Sequence, residues 1–350
     1  MSEQNTKVAE PRIDAPADHS TTKANPLRNF LSGSTGRSLG LVIALALLVV
    51  VGGVTSGDRF LNLENMLTIL RLASIIGVIS IGITFVITAG GIDLSVGSVM
   101  GLTSVVATLA SVQLAATQSS WLLIVVVALG VGLVAGLING LVIAYGNVVA
   151  FMATLAMLVG ARGLAELISG RSTQIVSNRD FLRVMRSDFL GIPILIWIFV
   201  IVAIAGWFLL NRTTFGRRTI AIGGNLEASR LAGIKVKRHL VSLYVLAGLA
   251  AGIAGIMMLG RTTAGTSTHG LLYELDAIAA VVVGGTLLIG GRGTIMGTVL
   301  GVLIFATLTN VFTQNNLDTS VQSLAKGLII VVAVLLQQRF ATRSPRKIKS

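Results

Sequence analysis

The chain has 350 residues, of which 53% are hydrophobic and only 12% are charged. Soluble proteins carry a charged fraction of about 25%, so this composition excludes an ordinary soluble domain. A mean hydropathy of +0.87 also excludes a disordered chain, because disorder requires low hydrophobicity. The absence of cysteine excludes disulfides, thiolate metal sites and cysteine nucleophiles. The composition is that of an integral membrane protein.

The chain begins with a polar stretch, 1–38, that contains three prolines and is predicted to be a disordered tail. A membrane domain follows over 39–338, and a short basic tail occupies 339–350. The first apolar run is interpreted as a retained signal anchor, because no small-residue cleavage site follows it. Ten segments have about the 17–25 residues that cross a bilayer as a helix. They are 39–57, 66–89, 97–116, 121–143, 148–168, 192–211, 240–260, 273–290, 294–313 and 321–338.

The net charge of +13 is concentrated in three places. Residues 1–38, the loop 211–239 and the tail from 338 onward hold five, seven and five of the 27 Lys and Arg residues. Cytoplasmic loops of membrane proteins are enriched in these residues, so all three segments are predicted to be cytoplasmic. Ten spans satisfy this, with six before the loop and four after it. The basic surplus therefore indicates orientation and not a nucleic-acid partner.

No enzyme site is recognisable. The three histidines are scattered, no HExxH motif occurs, and no Gly-Lys dipeptide is present, so a Walker A phosphate loop is absent. We therefore predict no catalytic residue, no metal site and no cofactor in this chain. Acidic residues in or beside the spans are also few, whereas a proton-coupled carrier usually has more buried ionisable groups.

The loop 211–239 contains a candidate docking helix. Asn225 is suited to cap the helix, Glu227 favours its first turn, and Gly233 can end it in the left-handed conformation. The predicted helix has about two turns, and so short a helix is marginal alone in water. We therefore expect it to dock on the underside of the bundle or on a partner.

Three motifs resemble a known family. Residues 227–233, EASRLAG, resemble the EAA loop of ABC importer permeases, although the family usually has Ala at the position of Ser229. Residues 90–97, GGIDLSVG, resemble the strongest motif of the ribose-type monosaccharide permeases. Residues 274–286 and 290–294, ELDAIAAVVVGGT and GGRGT, resemble that family's C-terminal block. The similarity covers about residues 40–337.

The resemblance implies an all-α polytopic protein with the type II ABC importer permease fold and ten helices per subunit. It further implies a bacterial cell-membrane complex with cytoplasmic termini, in which a second permease copy, an ABC ATPase subunit and an extracytoplasmic sugar-binding protein are the partners. ATP is then bound by the ATPase, and the sugar that the resemblance implies is a monosaccharide, with a pentose such as ribose expected. The residues expected to couple the chain to the ATPase are Gly224, Asn225, Glu227, Ala228, Ser229 and Gly233.

Polar residues in or beside the spans are candidates for the sugar pathway. For Asp93 and Ser95, capping of the helix after the glycine pair is favoured over direct contact with substrate. For the mid-span candidates, hydrogen bonding between helices is the more common use. Arg71 and Arg162 are expected to snorkel to the interface. The pathway candidates are Asp93, Ser95, Asn139, Thr154 and Asn310.

Two alternatives to a sugar permease stay open at this point. The first is a branched-chain amino-acid permease of the same superfamily, for which a zwitterionic substrate would favour charged groups in the pathway. The second is a secondary carrier or channel that works alone. Such a protein would not need a docking helix and should contain more buried ionisable residues.

Overall fold

The computed structural model describes residues 34–342, so most of the predicted N-terminal tail and the last eight residues lie outside the described part. Within that part the chain is overwhelmingly helical, which confirms the all-α class. The helices are α1 (Ser34–Ser56), α2 (Asp58–Leu61), α3 (Leu63–Thr88), α4 (Val96–Ala107), α5 (Ala110–Gln118), α6 (Leu122–Ala144), α7 (Ala150–Ser169), α8 (Arg179–Met185), α9 (Ile194–Arg212), α10 (Thr214–Gly224), α11 (Leu226–Leu231), α12 (Val236–Thr262), α13 (Tyr273–Val283), α14 (Ile295–Gln314) and α15 (Thr319–Thr342).

Seven helices of the described chain are long and apolar enough to cross a membrane: α1, α3, α6, α7, α9, α12 and α14. The pair α4 and α5 is bent by 58° and adds an eighth crossing if it is one span. Each of these helices falls on one of the predicted segments. The remaining two predicted segments, 273–290 and 321–338, contain the short α13 and part of α15. The chain is therefore a multi-pass membrane protein.

Close backbone packing holds the bundle together. Helices α3 and α12 are buried over most of their length, whereas α1 is almost entirely exposed. Gly132 of α6 lies against Gly248 of α12, and a Cβ atom on either residue would clash with the carbonyl oxygen of the other. Small residues spaced by four allow this approach, since packing contacts drive helix association in lipid. The contact between Gly132 and Gly248 therefore holds α6 closely against α12.

The two ends of the bundle differ. One end, called the α11 end below, carries α10 and α11. The other, called the sheet end, carries α8 and four short strands: β1 (Gln174–Ile175), β2 (Asp188–Phe189), β3 (Ile192–Pro193) and β4 (Ala264–Gly265). Strand β1 pairs antiparallel with β4, and β2 pairs antiparallel with β3 as a hairpin. The β1–β4 pairing ties the segment between α7 and α9 to the chain just after α12.

The segment predicted as one apolar span at 273–290 is instead a broken crossing. After α12 ends at the sheet end, residues 263–272 turn back along α4 without forming a helix; we call this stretch the return segment. Its Gly265 lies against the carbonyl of Ser104, and its Gly270 lies against the carbonyl of Gly97. Helix α13 then completes the crossing. With 11 residues it is about 16 Å long, or half of a hydrocarbon core of about 30 Å.

Backbone conformation explains why α13 is short. Leu272 just before it has φ +65°, and Gly285 just after it has φ +89°. Both values lie in the left-handed region, which interrupts a right-handed helix. The predicted span 97–116 is interrupted as well, because the helix breaks at residues 108–109 to give α4 and α5. Length and hydropathy do not reveal such breaks.

Candidate functional site

Helix α11 has the local structure that its sequence predicts. The side chain of Asn225 caps it by accepting a hydrogen bond from the Ala228 N–H at 2.9 Å. Ser229 is buried and donates from its hydroxyl to the Asn225 carbonyl at 2.8 Å. Gly233 has φ +80° and ends the turn after the helix. A polar capping residue, a small buried residue and a terminal glycine thus fix a six-residue helix on the surface of the bundle.

The outer face of α11 is available to a partner. Glu227 and Arg230 form an exposed ion pair at 4.0 Å, and Leu231 beside them is 88% exposed. Next to it, a cavity of about 400 Å³ is lined by basic residues that include Arg218 and Arg238.

Glycines from three distant pairs in the sequence, 90–91, 223–224 and 290–291, meet where α10 joins the bundle. Gly223 of α10 lies directly against the carbonyl of Thr88, the last residue of α3. The N–H of Gly291 donates to that same carbonyl at 2.9 Å. Gly290 is also so close to Gly90 that a Cβ on Gly290 would lie 2.9 Å from the Cα of Gly90. We call these four glycines and Thr88 the glycine junction.

The glycine junction connects the predicted motifs physically. The motif 90–97 begins in it, the C-terminal block 290–294 begins in it, and the docking helix follows it directly. The sequence gives no physical role for the glycines of 290–294, which are noted there only because they resemble a family motif. The structure shows their physical use, which is close approach of three backbones. The junction therefore joins α10, which precedes α11, to the end of α3 and to the break that follows.

Four of the five pathway candidates are close together in that break. The carboxylate of Asp93 accepts hydrogen bonds from the N–H and the hydroxyl of Ser95, at 2.8 and 2.6 Å. Asn139 of α6 donates to the Ser95 hydroxyl at 2.9 Å, and Thr154 of α7 donates to the Ile92 carbonyl at 3.2 Å. All four side chains are buried. We call them the Asp93 cluster.

Hydrogen bonding in the Asp93 cluster differs from the expected helix cap. Ser95 occupies the N-cap position of α4, yet its side chain makes no capping bond to that helix. Asp93 instead bonds two residues ahead, which is the local pattern of an Asx turn. Helices α6 and α7 then hold the turn from two sides. The Ile92 carbonyl in the break is therefore satisfied from α7, as irregular structure inside a membrane requires.

The fifth candidate, Asn310, lies in a separate core. It exchanges two hydrogen bonds with Asn65, at 2.8 and 3.1 Å, and Gln314 donates to Asn65 at 3.0 Å. Asn310 and Asn65 are both buried. The hydrogen bonds among these three residues join α3 to α14. The structure therefore does not bring Asn310 to the Asp93 cluster.

The expectation that Arg162 snorkels to the interface is wrong. Its guanidinium donates to the carbonyls of Ser267 and His269 in the return segment, the latter at 2.9 Å. Glu274, at the start of α13, is buried against Gly97, and its Oε2 has no hydrogen-bond partner among the described residues. Sequence reasoning missed this site because the return segment was not recognised. The spacing of Gly97 and Gly101 on α4 was the available signal, since both glycines line the groove that holds the segment.

The described residues 34–342 contain no group of three His, Cys, Asp or Glu side chains that could hold a metal ion. A bundle of many apolar helices with broken crossings, buried polar turns and a displayed surface helix has the architecture of a membrane transport protein. Residues 65–334 match the family described as branched-chain amino acid transport system / permease component. The chain belongs to this permease family.

Relatives of this chain are named as sugar permeases. It is 39% identical to the Ribose import permease protein RbsC of Haemophilus influenzae over 91% of this chain and 98% of the relative. It is 41% identical to RbsC of Bacillus subtilis over 87% and 93% of the two chains. It is 31% identical to the Xylose transport system permease protein XylH of Escherichia coli over 92% and 97%. These matches confirm the resemblance to ribose-type permeases. No solved structure gives a significant match.

Proposed function

We propose that this chain is the membrane-spanning permease subunit of an ABC importer that carries a pentose, such as ribose, into the cell. The observation that carries the proposal is the similarity of almost the whole chain to proteins named ribose import permease. The family description mentions branched-chain amino acids. However, relatives at 31–41% identity are named for ribose and xylose, which favours a sugar as the cargo.

The complex that we propose contains two copies of this chain, two ABC ATPase subunits and an extracytoplasmic sugar-binding protein. It lies in the bacterial cell membrane, with the α11 end and both termini in the cytoplasm. The seven basic residues of 211–239 support this orientation. ATP binds to the ATPase subunits, and this chain supplies the pathway and the docking helix.

In the proposed mechanism, α11 enters a groove on the ATPase and moves with it. Asn225, Ala228 and Ser229 maintain the helix, Glu227 contacts the partner, and Gly224 and Gly233 form its flexible ends. The glycine junction then transmits the displacement to the Asp93 cluster, where α3 and α4 meet. Because broken helices near the middle of a membrane commonly border transport sites, movement there would switch the pathway between its outward-open and inward-open states.

The proposal is tested by uptake of labelled ribose in cells that express the complex. We expect uptake to stop when the partner ATPase is made catalytically inactive, and to stop when this chain is deleted. Uptake that persists with an inactive ATPase would contradict the ABC assignment. Reporter fusions at residues 180 and 225 test the orientation, and we expect them to lie on opposite sides of the membrane.

A further inference from the structure

We propose that the return segment, 263–272, forms a wall of the sugar pathway and that the hydroxyl of Thr268 faces this path. The inference rests on the proposed transport function and extends it to particular residues. It is based on the position of the return segment, which is non-helical, carries hydroxyl side chains and lies at membrane depth. One side of this segment is not covered by the rest of the described chain.

The depth of Thr268 follows from the helices beside it. The apolar part of α12 ends near Gly260, and Gly255 lies against Thr103 of α4. Two residues deeper on α4, Gly101 lies against the carbonyls on either side of Thr268. With a rise of 1.5 Å per residue, Thr268 lies about 10 Å inside the sheet-end boundary of the membrane. Half of the hydrocarbon core is about 15 Å thick, so Thr268 lies within the core and not at its surface.

One side of the return segment is covered and the other is open. Gly265, Ser267 and Gly270 are buried against α4, whereas Thr268 is exposed and Leu271 is 61% exposed. Irregular backbone at membrane depth is tolerated only where protein covers it or where it lines a water-filled cavity, because lipid cannot satisfy its polar groups. The open side of the return segment therefore cannot face lipid.

The side chains of this stretch favour a water-filled path over a dry contact between two permease copies. Residues 262–270, TTAGTSTHG, contain five hydroxyl side chains in nine residues. The hydroxyls of Thr266 and Thr268 lie 3.2 Å apart and can donate to or accept from a third hydroxyl group. A dry interface would call for apolar side chains. Thr262 and Thr263 donate to backbone carbonyls and Ser267 is buried, so the hydroxyls of Thr266 and Thr268 are the pair that matches a polyhydroxylated sugar.

The remaining polar groups hold the wall in place against the bundle. Arg162 fixes the return segment by donating to two of its carbonyls, and His269 lies 3.1 Å from the Ser104 hydroxyl through its Nδ1. Glu274 follows at the inner end of the segment, with an oxygen that lacks a partner among the described residues. Arg162 is thus a positioning residue, and the buried Glu274 lies on the covered side of the wall, against Gly97.

Because the natural chain has no cysteine, single cysteines can report which positions water reaches. We would introduce Thr268→Cys and, separately, Leu271→Cys. Ile201→Cys is the matched control, since Ile201 lies on α9, is 62% exposed and is eight residues into its helix from the sheet end. Each variant complex would be placed in nanodiscs and treated with a cationic methanethiosulfonate, which reacts with thiolates. Mass spectrometry would measure the rate of modification with and without ATP.

We expect Thr268→Cys and Leu271→Cys to be modified at least about tenfold faster than Ile201→Cys in one nucleotide state, because only a hydrated thiol ionises readily. We also expect modification at position 268 to block uptake. If both cysteines react no faster than the control in every nucleotide state while the variants still transport, the inference is overturned. Failure of ATP-dependent uptake by the cysteine-free parent would instead contradict the proposed function, so the two failures are distinguishable.

Discussion

Gly223 lies so close to the carbonyl oxygen of Thr88 that no side chain fits between the two residues. Gly223 belongs to the helix that leads into α11, and Thr88 ends α3 just before the break that holds the Asp93 cluster. This contact joins the helix beside the proposed ATPase-docking surface to the break beside the proposed pathway.

Gly223→Ala should separate α10 from α3. Its new Cβ would clash with the Thr88 carbonyl and lie 2.5 Å from the backbone nitrogen of Gly291. Overpacking costs about 1–3 kcal/mol, so we expect ribose uptake per unit of membrane-inserted protein to fall roughly tenfold or more. Gly163→Ala is the control, because a Cβ on Gly163 meets nothing within 4 Å. Normal uptake by the Gly223 variant would show that transport does not require close backbone contact at the glycine junction.

Glu227→Arg should disrupt docking of α11 without affecting membrane insertion. Glu227 is exposed beside Arg230, so the change places two like charges together and reverses the charge offered to the partner. We expect loss of uptake and loss of ATPase co-purification. Asp180→Arg is a matched control at the sheet end, where Asp180 and Arg183 form an exposed pair with the same spacing. Equal effects of both reversals would contradict a specific docking role.

Arg162→Ala should destabilise the return segment. The carbonyls of Ser267 and His269 would lose a charged donor, and hydrogen bonds to charged groups contribute about 1.5–3 kcal/mol each. We expect a lower temperature of unfolding in detergent and reduced uptake, with partial recovery in Arg162→Lys. Arg171→Ala provides the comparison, since its ion pair with Glu166 is exposed and such pairs contribute about 0–1 kcal/mol. An unchanged unfolding temperature for Arg162→Ala would refute this role.

Substitutions of Asp93 distinguish a structural turn from a charged contact with substrate. Asp93→Asn keeps the oxygen that accepts from the Ser95 N–H and hydroxyl, whereas Asp93→Ala removes it. We expect uptake to be retained in the Asn variant and lost in the Ala variant. The measurement is the concentration dependence of ribose uptake for both. Loss of uptake in Asp93→Asn with normal protein levels would mean that the negative charge itself is required.

The local structure of α11 was predictable because each of its determinants lies within a few residues. Asn225 supplies the capping side chain, and the helix that it caps follows it directly in the sequence. Gly233 ends the turn after the helix, as its position in the sequence predicts. The apolar spans were predictable for a similar reason, since segment length and hydropathy are properties of continuous sequence. The basic residues of 211–239 marked the loop that carries this helix.

The glycine junction and the return segment depend on contacts between distant residues. Gly90, Gly223 and Gly291 are each ordinary turn or helix residues by sequence, and only the fold brings their backbones together. The prediction treated every crossing as one continuous apolar helix. It therefore placed this crossing at 273–290 and left out the return segment. The return segment actually occupies the sheet-end half of that crossing. Arg162 was misassigned because its acceptors are backbone carbonyls, which no sequence pattern identifies.

We propose that this chain moves a pentose only when a partner ATPase hydrolyses ATP. The most direct measurement uses the purified complex in proteoliposomes, with labelled ribose and the sugar-binding protein sealed inside and ATP added outside. Complexes whose ATPase subunits face outward should then release ribose into the medium on addition of ATP. A non-hydrolysable ATP analogue should give no release. Release at the same rate without ATP hydrolysis would contradict the account.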